Sequence, residues 1–403
     1  MSNPFQLIIP LKQHTPIIHF QHDQAGATLR APEVKPKLDK YLIEHAFDSD
    51  ALKYARFLVG GAKATHKALD YKLAIKSAGH RYEVIRKGNR DTPMFFANMG
   101  SEYKERGLVW NNDISLCIHC FHSELRDLID SHIGRFIAST NFGMRSTKGF
   151  GSFTLATNAP APANAYHFTV DANDWKAVFR TIDLFYKSIR GGINDVYKDN
   201  YGEIQKGLYM KPMIFEYARQ KNVTWEKKTI KARKFPRKLA DHQADHEGSV
   251  ENQNEWPLWV LEPKERIVRD LLGLSTDQTW RGYPGGANGA MITKEHITKD
   301  IDRFPSPIIF KPVLSDNVFT VYFWAVPIAD VYLDASFNIS VNKAKIGSYP
   351  IWKEFDIDYF LKTYLSVEKL KAAMQYDRDK QRQRDMANKL IRIYSEIEKN
   401  KPT

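Results

Sequence analysis

The sequence predicts an α+β protein made of two successive units of strands and helices, and three observations favour this class. Apolar side chains alternate with polar ones in several short segments, as in strands with one buried face. Residues 123–140 and 175–189 place apolar side chains every three or four positions, as amphipathic helices do. A strand, a helix, a glycine-rich loop and a strand follow one another before residue 157, as in half of a ferredoxin-like (βαββαβ) domain.

The first half of the chain supplies five elements in order. Alternation over residues 5–9 predicts a strand. A helical pattern over residues 38–45 follows, with Pro36 expected in its first turn, where a missing N–H costs little. Residues 48–107 mix basic, small and aromatic side chains, so we expect an insertion there with at least one helix and a hairpin. Alternation over residues 114–120 predicts the next strand, and the clearest helix then begins with Ser123 as its N-cap.

The second half repeats the order of strand and helix. A linker rich in Pro, Ala and Asn, residues 158–164, precedes a predicted strand over residues 166–170 and the second amphipathic helix. The apolar runs 307–313 and 318–328 predict a hairpin. From residue 356 onward the chain is helical and heavily charged, either as a solvated face or as a docking helix.

Composition limits the classes of function. The chain has 403 residues, 43% of them hydrophobic, which is enough for two domains with real cores. Its formal net charge of +12 favours a polyanionic partner. Two cysteines exclude a disulfide-rich scaffold, and no apolar run approaches the roughly 20 residues that span a bilayer. The first residues lack the pattern of a signal peptide, so we expect a cytoplasmic protein without a membrane partner.

The glycine-rich loop, residues 142–152, is the most informative segment for function. Three glycines allow close backbone approach and positive φ, while the cations Arg145 and Lys148 and the hydroxyl of Ser146 suit a phosphate-rich ligand. The spacing fits neither the nucleoside-triphosphate loop nor the dinucleotide fingerprint. The alternative is an ordinary basic hairpin on the surface.

Two further basic segments are candidate RNA contacts. Residues 225–238 contain seven cations and two aromatic side chains, a composition that suits phosphates and unpaired bases. A solvated basic face is the alternative for this segment. A second patch lies at the start of the first helix, where the helix dipole also favours anions. The candidates in these two segments are Lys231, Arg233 and Lys234, and Arg30, Lys35 and Lys37.

A zinc site is considered and set aside. Cys117 and His119 would face one side of a strand, whereas Cys120 and His122 would face the other. A structural zinc site normally needs four converging ligands, and no second pair is present in the sequence. We therefore expect two buried cysteines in a core strand, with no metal and no cofactor.

The glycine-rich loop resembles that of the RAMP superfamily, the RNA-binding subunits of CRISPR effector complexes. Residues 15–20 are similar to the first strand of these proteins, and residues 26–30 to the loop before their first helix. Residues 303–310 resemble the Arg-x-x-Ser-Pro stretch of the two-domain members. Among those, the resemblance is nearest to the Cmr1-type subunit of type III-B effectors, within the Cmr1-like and Cas7-like group.

The resemblance implies two tandem ferredoxin-like (RRM-like) RAMP units with helical insertions. The first is expected over residues 1–157, the second over 165–355, and a charged C-terminal helical region over 356–403. It implies a guide-RNA-binding subunit of a multiprotein antiviral effector that holds the RNA, free or paired to its target, by the backbone. The residues implied are Gly143, Arg145, Ser146, Lys148 and Gly149, together with Arg30 and Arg303.

Two other functions remain open at this point. Guide-processing relatives of the Cas6 type cleave RNA without metal through a histidine acid or base. His14, His19, His22 and His45 are the candidates here, and Asp23 or Asp39 for cleavage through an aspartate, but none lies in a motif. The third function is a basic interaction protein that docks on partners through its C-terminal helix. We favour the RNA-binding subunit over the enzyme.

Overall fold

The computed structural model describes residues 3–18, 28–86, 105–172, 174–198, 201–235, 264–280, 289–333 and 335–402. The helices in these ranges are α1 Ala31–His45, α2 Ala51–Tyr54, α3 Ser123–Ser139, α4 Trp175–Arg190, α5 Met213–Gln220, α6 Glu226–Lys234, α7 Asp330–Leu333, α8 Ile357–Tyr364, α9 Val367–Ala373 and α10 Gln381–Lys399. The strands are β1 Gln6–Gln13, β2 Lys72–Arg86, β3 Glu105–His119, β4 Phe153–Leu155, β5 Tyr166–Asp171, β6 Ile193–Lys198, β7 Ile204–Met210, β8 Val223–Trp225, β9 Lys264–Arg266, β10 Asp277–Trp280, β11 Ala290–His296, β12 Ile308–Ser315, β13 Val318–Ala325, β14 Ser336–Val341, β15 Ala344–Pro350 and β16 Met374–Gln375.

The chain forms two compact units. Unit 1 consists of residues 1–183 together with 309–324 and 402–403. Unit 2 consists of residues 184–308 and 325–401. Unit 1 is therefore discontinuous in sequence, because most of strands β12 and β13 belongs to it.

The principal sheet of unit 1 has four strands in the order β2-β3-β1-β4. Its strands pair antiparallel, with Leu7 opposite Ile118 and Ile9 opposite Leu116. The alternation that the sequence predicts therefore brings apolar side chains to one face. On that face lies a buried cluster that includes side chains of α1 and α3, among them Leu38, Leu42, Ile129, Ile133 and Phe136.

Three local predictions in unit 1 need correction. Helix α1 begins at Ala31, which places Pro36 in the second turn, and Pro32 takes the early position that suits proline. Helix α3 has His122 at its N-cap, with Ser123 as its first helical residue. The hairpin expected within residues 48–107 extends beyond them, because β2 pairs with β3, most of which lies after residue 107.

A second sheet of unit 1 has three strands in the order β12-β13-β5. Strand β13 pairs antiparallel with β5, so that Val321 lies opposite Phe168 and Phe319 opposite Val170. The hairpin predicted from the apolar runs after residue 307 is thus confirmed, and its partner is the strand that follows the linker at 158–164.

Unit 2 combines three small sheets with short helices. Its strands are ordered β10-β11-β14-β15, β16-β7-β6 and the parallel pair β8-β9. An ionic cluster lies inside it: the fully buried Lys294 ammonium contacts the Asp270 carboxylate and lies 3.4 Å from Glu226 Oε1. The second oxygen of Glu226 accepts a hydrogen bond from the Val268 amide.

The protein thus has a mixed α/β fold with several small, mainly antiparallel sheets. The order of the principal elements in unit 1 is strand, helix, strand, strand, helix, strand. A duplication of that order is not confirmed among the described strands after residue 165, which divide among several sheets. Within the part of the chain described, none of the helices is long and apolar enough to span a membrane.

Candidate nucleic-acid interface

The glycine-rich loop contains a tight turn, residues 144–148, which is half-buried between fully buried neighbours. Arg145 has left-handed backbone angles, with φ 59° and ψ 27°, and residues 146–148 form one 3₁₀ turn. The Lys148 amide donates to the Arg145 carbonyl at 2.9 Å, and the Gly149 amide to the Ser146 carbonyl at 3.1 Å. The candidate residues Arg145, Ser146 and Lys148 are thus brought together on one turn.

The glycines of the loop are required by packing within unit 1. A Cβ on Gly143 would lie 2.6 Å from the Ile18 carbonyl oxygen, and one on Gly149 would lie 2.8 Å from Pro312 Cδ. Both glycines have positive φ, 80° and 97°. The groups that approach these glycines closely therefore belong to the protein itself and not to a ligand. Their packing fixes where the 144–148 turn begins and ends.

The N-terminal turn of α1 contacts this loop. Glu33 Oε1 accepts a hydrogen bond of 2.6 Å from the Gly143 amide and one of 2.9 Å from Lys37 Nζ. Lys37 also donates to the Asn141 carbonyl at 3.2 Å. Arg30, at the N-cap of α1, is exposed. The structure therefore places Lys37 at the loop. Arg30 lies three residues before Glu33, whose carboxylate holds the loop.

Lys35 points away from this group. Its Nζ donates at 2.8 Å to Asp39 Oδ2 and at 2.9 Å to the Leu69 carbonyl. It also lies 4.1 Å from the centre of the Tyr71 ring. Burial raises the pKa of Asp39, although Lys35 opposes that shift. Lys35 is thus engaged in a structural ion pair, which also occupies one of the two candidate aspartates.

Two residues that the sequence analysis did not single out hold the loop by hydrogen bonds. Asn141 Nδ2 donates to the Ser146 carbonyl at 2.8 Å and to the Phe310 carbonyl at 2.7 Å. Lys311 Nζ donates to the Thr140 carbonyl at 2.9 Å and lies 3.4 Å from Asn141 Oδ1. One signal was available in the sequence: Lys311 is the only charged residue in the apolar run 307–313.

His14 is built into the structure as a neutral side chain. Its Nδ1 accepts a hydrogen bond of 3.0 Å from the Leu314 amide, which leaves Nε2 to donate to Thr154 Oγ1 at 2.8 Å. Burial, and then the nearby charges of Lys311 and Lys12, lower its pKa to about 3. A histidine held in this way is a poor general acid or base near neutral pH.

Of the remaining candidates for catalysis, the structure describes His45 alone. His45 is exposed and its ring lies 4.3 Å from that of Tyr41. His19, His22 and Asp23 lie outside the described residues.

The candidates in the second half of the chain belong to unit 2. Lys231 is 7% exposed, on α6. Arg233 donates to Tyr349 Oη at 2.6 Å and to Glu265 Oε2 at 2.8 Å. Lys234 and Arg303 are exposed. Residues 236–238 of the same basic segment lie outside the described residues.

Both cysteines are buried, as the sequence predicts. Cys117 lies in β3, while Cys120 follows the strand and donates to the His122 carbonyl at 3.3 Å. Burial raises the pKa of the Cys120 thiol. In the ranges that the structure describes, no group of three or more His, Cys, Asp or Glu side chains is arranged to hold a metal ion.

Comparison with protein families decides the affiliation of the chain. The model of the Cmr1 N-terminal domain matches residues 5–193, and the model of the Cmr1 C-terminal domain matches residues 209–389. The chain belongs to the Cmr1 family. Cmr1 is a RAMP protein of type III systems, so the resemblance read from four short segments is confirmed. Membership supports a subunit of a type III CRISPR effector, with the other subunits as partners.

Two further comparisons complete this result. The crystal structure of Cmr1 from Pyrococcus furiosus in its apo form matches with 10% sequence identity and a TM-score of 0.36. The match covers 81% of this chain and 89% of that one. No curated protein matches the sequence.

Proposed function

We propose that this Cmr1-family protein binds guide RNA within a type III effector, holding the RNA backbone at the 144–148 turn. The observation that carries the proposal is the turn itself: it has two cations and two hydroxyls on five half-buried residues. Glu33 holds the Gly143 amide just before the turn, and Asn141 holds the Ser146 carbonyl within it. A preorganised cluster of this kind suits phosphates, because little conformational entropy is lost when the ligand binds.

Neighbouring cations of unit 1 add further contacts for the RNA backbone beside the turn. Lys37 contacts the loop, and Arg30 is exposed at the helix N-terminus that follows it in the same unit. Such contacts hold the RNA without reading its bases, so sequence is read by pairing between guide and target. The exposed cations of unit 2, Arg233, Lys234 and Arg303, are proposed as a second set of backbone contacts.

The architecture is part of the proposal. The order of elements in unit 1 and the strand order β2-β3-β1-β4 support a ferredoxin-like first unit. From the sequence pattern, as a division distinct from the two compact units, we propose domain boundaries near residues 157, 165 and 355, with a second unit of the same ancestry and a charged helical C-terminus.

The test is the double variant Arg145→Glu/Lys148→Glu. A matched control, Lys63→Glu/Arg135→Glu, makes the same change of charge at two exposed positions of unit 1. Fluorescence anisotropy with a labelled single-stranded RNA is measured over a range of salt concentrations. Loss of two phosphate contacts lowers the slope of log K against log salt by about 1.4, since each contact contributes about 0.7 on single strands.

Comparison of the two variants distinguishes RNA binding at the turn from a general effect of net charge on affinity. We expect the 145/148 variant to lose most of its affinity with an unchanged far-UV spectrum, while the control binds within a fewfold of the parent. Equal affinities for the two variants would refute the assignment of the turn. Short RNAs that copurify at moderate salt, and that share an end derived from a CRISPR repeat, would identify the RNA as guide.

A further inference from the structure

Lys311 is a buried cation, and none of the residues that the structure describes supplies it with an acidic partner. Its side chain is 0% exposed, and both of its hydrogen-bond acceptors, the Thr140 carbonyl and Asn141 Oδ1, are neutral. Burying an ammonium group is costly unless a negative charge balances it. A leucine or methionine would fill the same space in strand β12 without that cost.

The charged groups around Lys311 do not supply the balance. His14, the residue after strand β1, stays neutral, and Lys12 of that strand is exposed and donates to the Leu314 carbonyl. The loop contributes the cations Arg145 and Lys148 on the 144–148 turn. Burial alone lowers the pKa of Lys311 to about 7.

Asn141 links this ammonium directly to the turn. Its Oδ1 faces Lys311 Nζ, and its Nδ2 donates to the Ser146 carbonyl in the middle of the turn. The same amide group donates to the Phe310 carbonyl, next to Lys311 in β12. The position of the turn therefore depends on the side chain of Lys311.

We propose that Lys311 is a positioning residue for RNA binding, which holds the 144–148 turn through Asn141 and whose buried charge is balanced by the RNA backbone at that turn. This inference rests on the proposed function. The phosphodiester brings a negative charge, which none of the described side chains places beside the Lys311 ammonium.

The inference has a consequence for pH dependence. A phosphate near the turn favours the ammonium form, so the pKa of Lys311 is higher in the complex than in the free protein. The complex then binds one more proton than the free protein at pH values between the two pKa values. Affinity is therefore greatest below the pKa of the free protein and falls as pH rises through both pKa values, by about tenfold in all for a shift of one pKa unit.

The variants Lys311→Met and Lys12→Met test this, the second as a matched control at an exposed lysine. Affinity for a single-stranded RNA without a terminal phosphate is measured from pH 7 to pH 9 at constant salt. The parent and Lys12→Met should lose about fivefold affinity over this range, for a shift of one unit from a free pKa of about 7, whereas Lys311→Met should bind weakly with a flat profile. A profile of the same slope in all three proteins would overturn the inference.

A second measurement needs no variant. Calorimetric titration of the parent with RNA at pH 8, in two buffers of different ionisation enthalpy, counts the protons taken up on binding. We expect a net uptake, and its absence would overturn the inference even if Lys311→Met does not fold. The proposed function fails separately, if Arg145→Glu/Lys148→Glu binds RNA as the control does.

Discussion

Replacing Gly151 by alanine tests how tightly the glycine-rich loop is packed. Gly151 has φ +64°, and a Cβ at this position would lie 1.8 Å from the Phe142 carbonyl oxygen. The two residues are also joined by a hydrogen bond from the Phe142 amide to the Gly151 carbonyl, 3.0 Å long. Since the clash is with backbone, no side chain can rotate out of the way. The Gly151 amide also donates to the Pro16 carbonyl at 2.9 Å.

The magnitude follows from these contacts. Left-handed backbone costs an alanine about 1 to 2 kcal/mol. Displacing the backbone breaks both hydrogen bonds, at about 1 kcal/mol each, so the expected loss is about 3 to 4 kcal/mol. Gly61→Ala is the matched control: its φ is +63° and its Cβ would meet nothing within 4 Å, so only the backbone cost applies.

Scanning calorimetry compares the two variants. With a shift of about 2 to 4 °C for each kcal/mol, Gly151→Ala should lower the transition temperature by about 10 °C and Gly61→Ala by about 4 to 5 °C. Equal shifts would show that the loop yields to the added methyl group, and would refute the argument that packing requires its glycines.

Two further predictions concern buried polar groups. Because the folded pKa of His14 lies below its unfolded value of 6.5, its contribution to stability is complete above pH 6.5 and falls by about 1.4 kcal/mol per pH unit below it. Urea unfolding at pH 7.5 and 5.0 should therefore show a smaller loss of unfolding free energy for His14→Gln than for the parent. An identical loss in the two proteins would contradict the assignment of His14 as a buried neutral side chain. Lys294→Met leaves Glu226 buried without its cation and Asp270 with only the Arg190 guanidinium at 3.6 Å, so it should cost about 3 kcal/mol. Lys299→Met, at an exposed pair, should cost less than about 1 kcal/mol in the same thermal unfolding assay, and similar losses would contradict the difference.

The elements with strong local patterns could be predicted from the sequence. Helix α3 and the strand before it were expected because apolar residues recur at the right spacing over long stretches. The ends of helices could not be predicted to the residue. Ser123 suits an N-cap and Pro36 a first helical turn, yet His122 is the N-cap and Pro32 lies in the first turn. Neighbouring residues of similar propensity compete for a cap, and packing decides between them.

The surroundings of the site could be predicted only in part. The glycine-rich loop stands out by composition, because its cations, hydroxyls and glycines are contiguous. The residues that hold it come from distant parts of the chain: Glu33 bonds to Gly143, and Lys311 to Thr140. Local pattern carries no information about such pairings, which arise only when the sheets assemble.

The discontinuity of unit 1 has a consequence for the time at which the loop is completed during synthesis. Residues 184–308 separate its two parts, and a ribosome needs roughly 6 to 25 s to add them at about 5–20 residues per second. Until then β5 lacks its neighbour β13, and its open edge can pair with other chains. Asn141 and Lys311 likewise meet only after this delay. A nascent chain that stalls before residue 309 therefore carries the 144–148 turn without the hydrogen bonds that Phe310 and Lys311 make with Asn141 and Thr140.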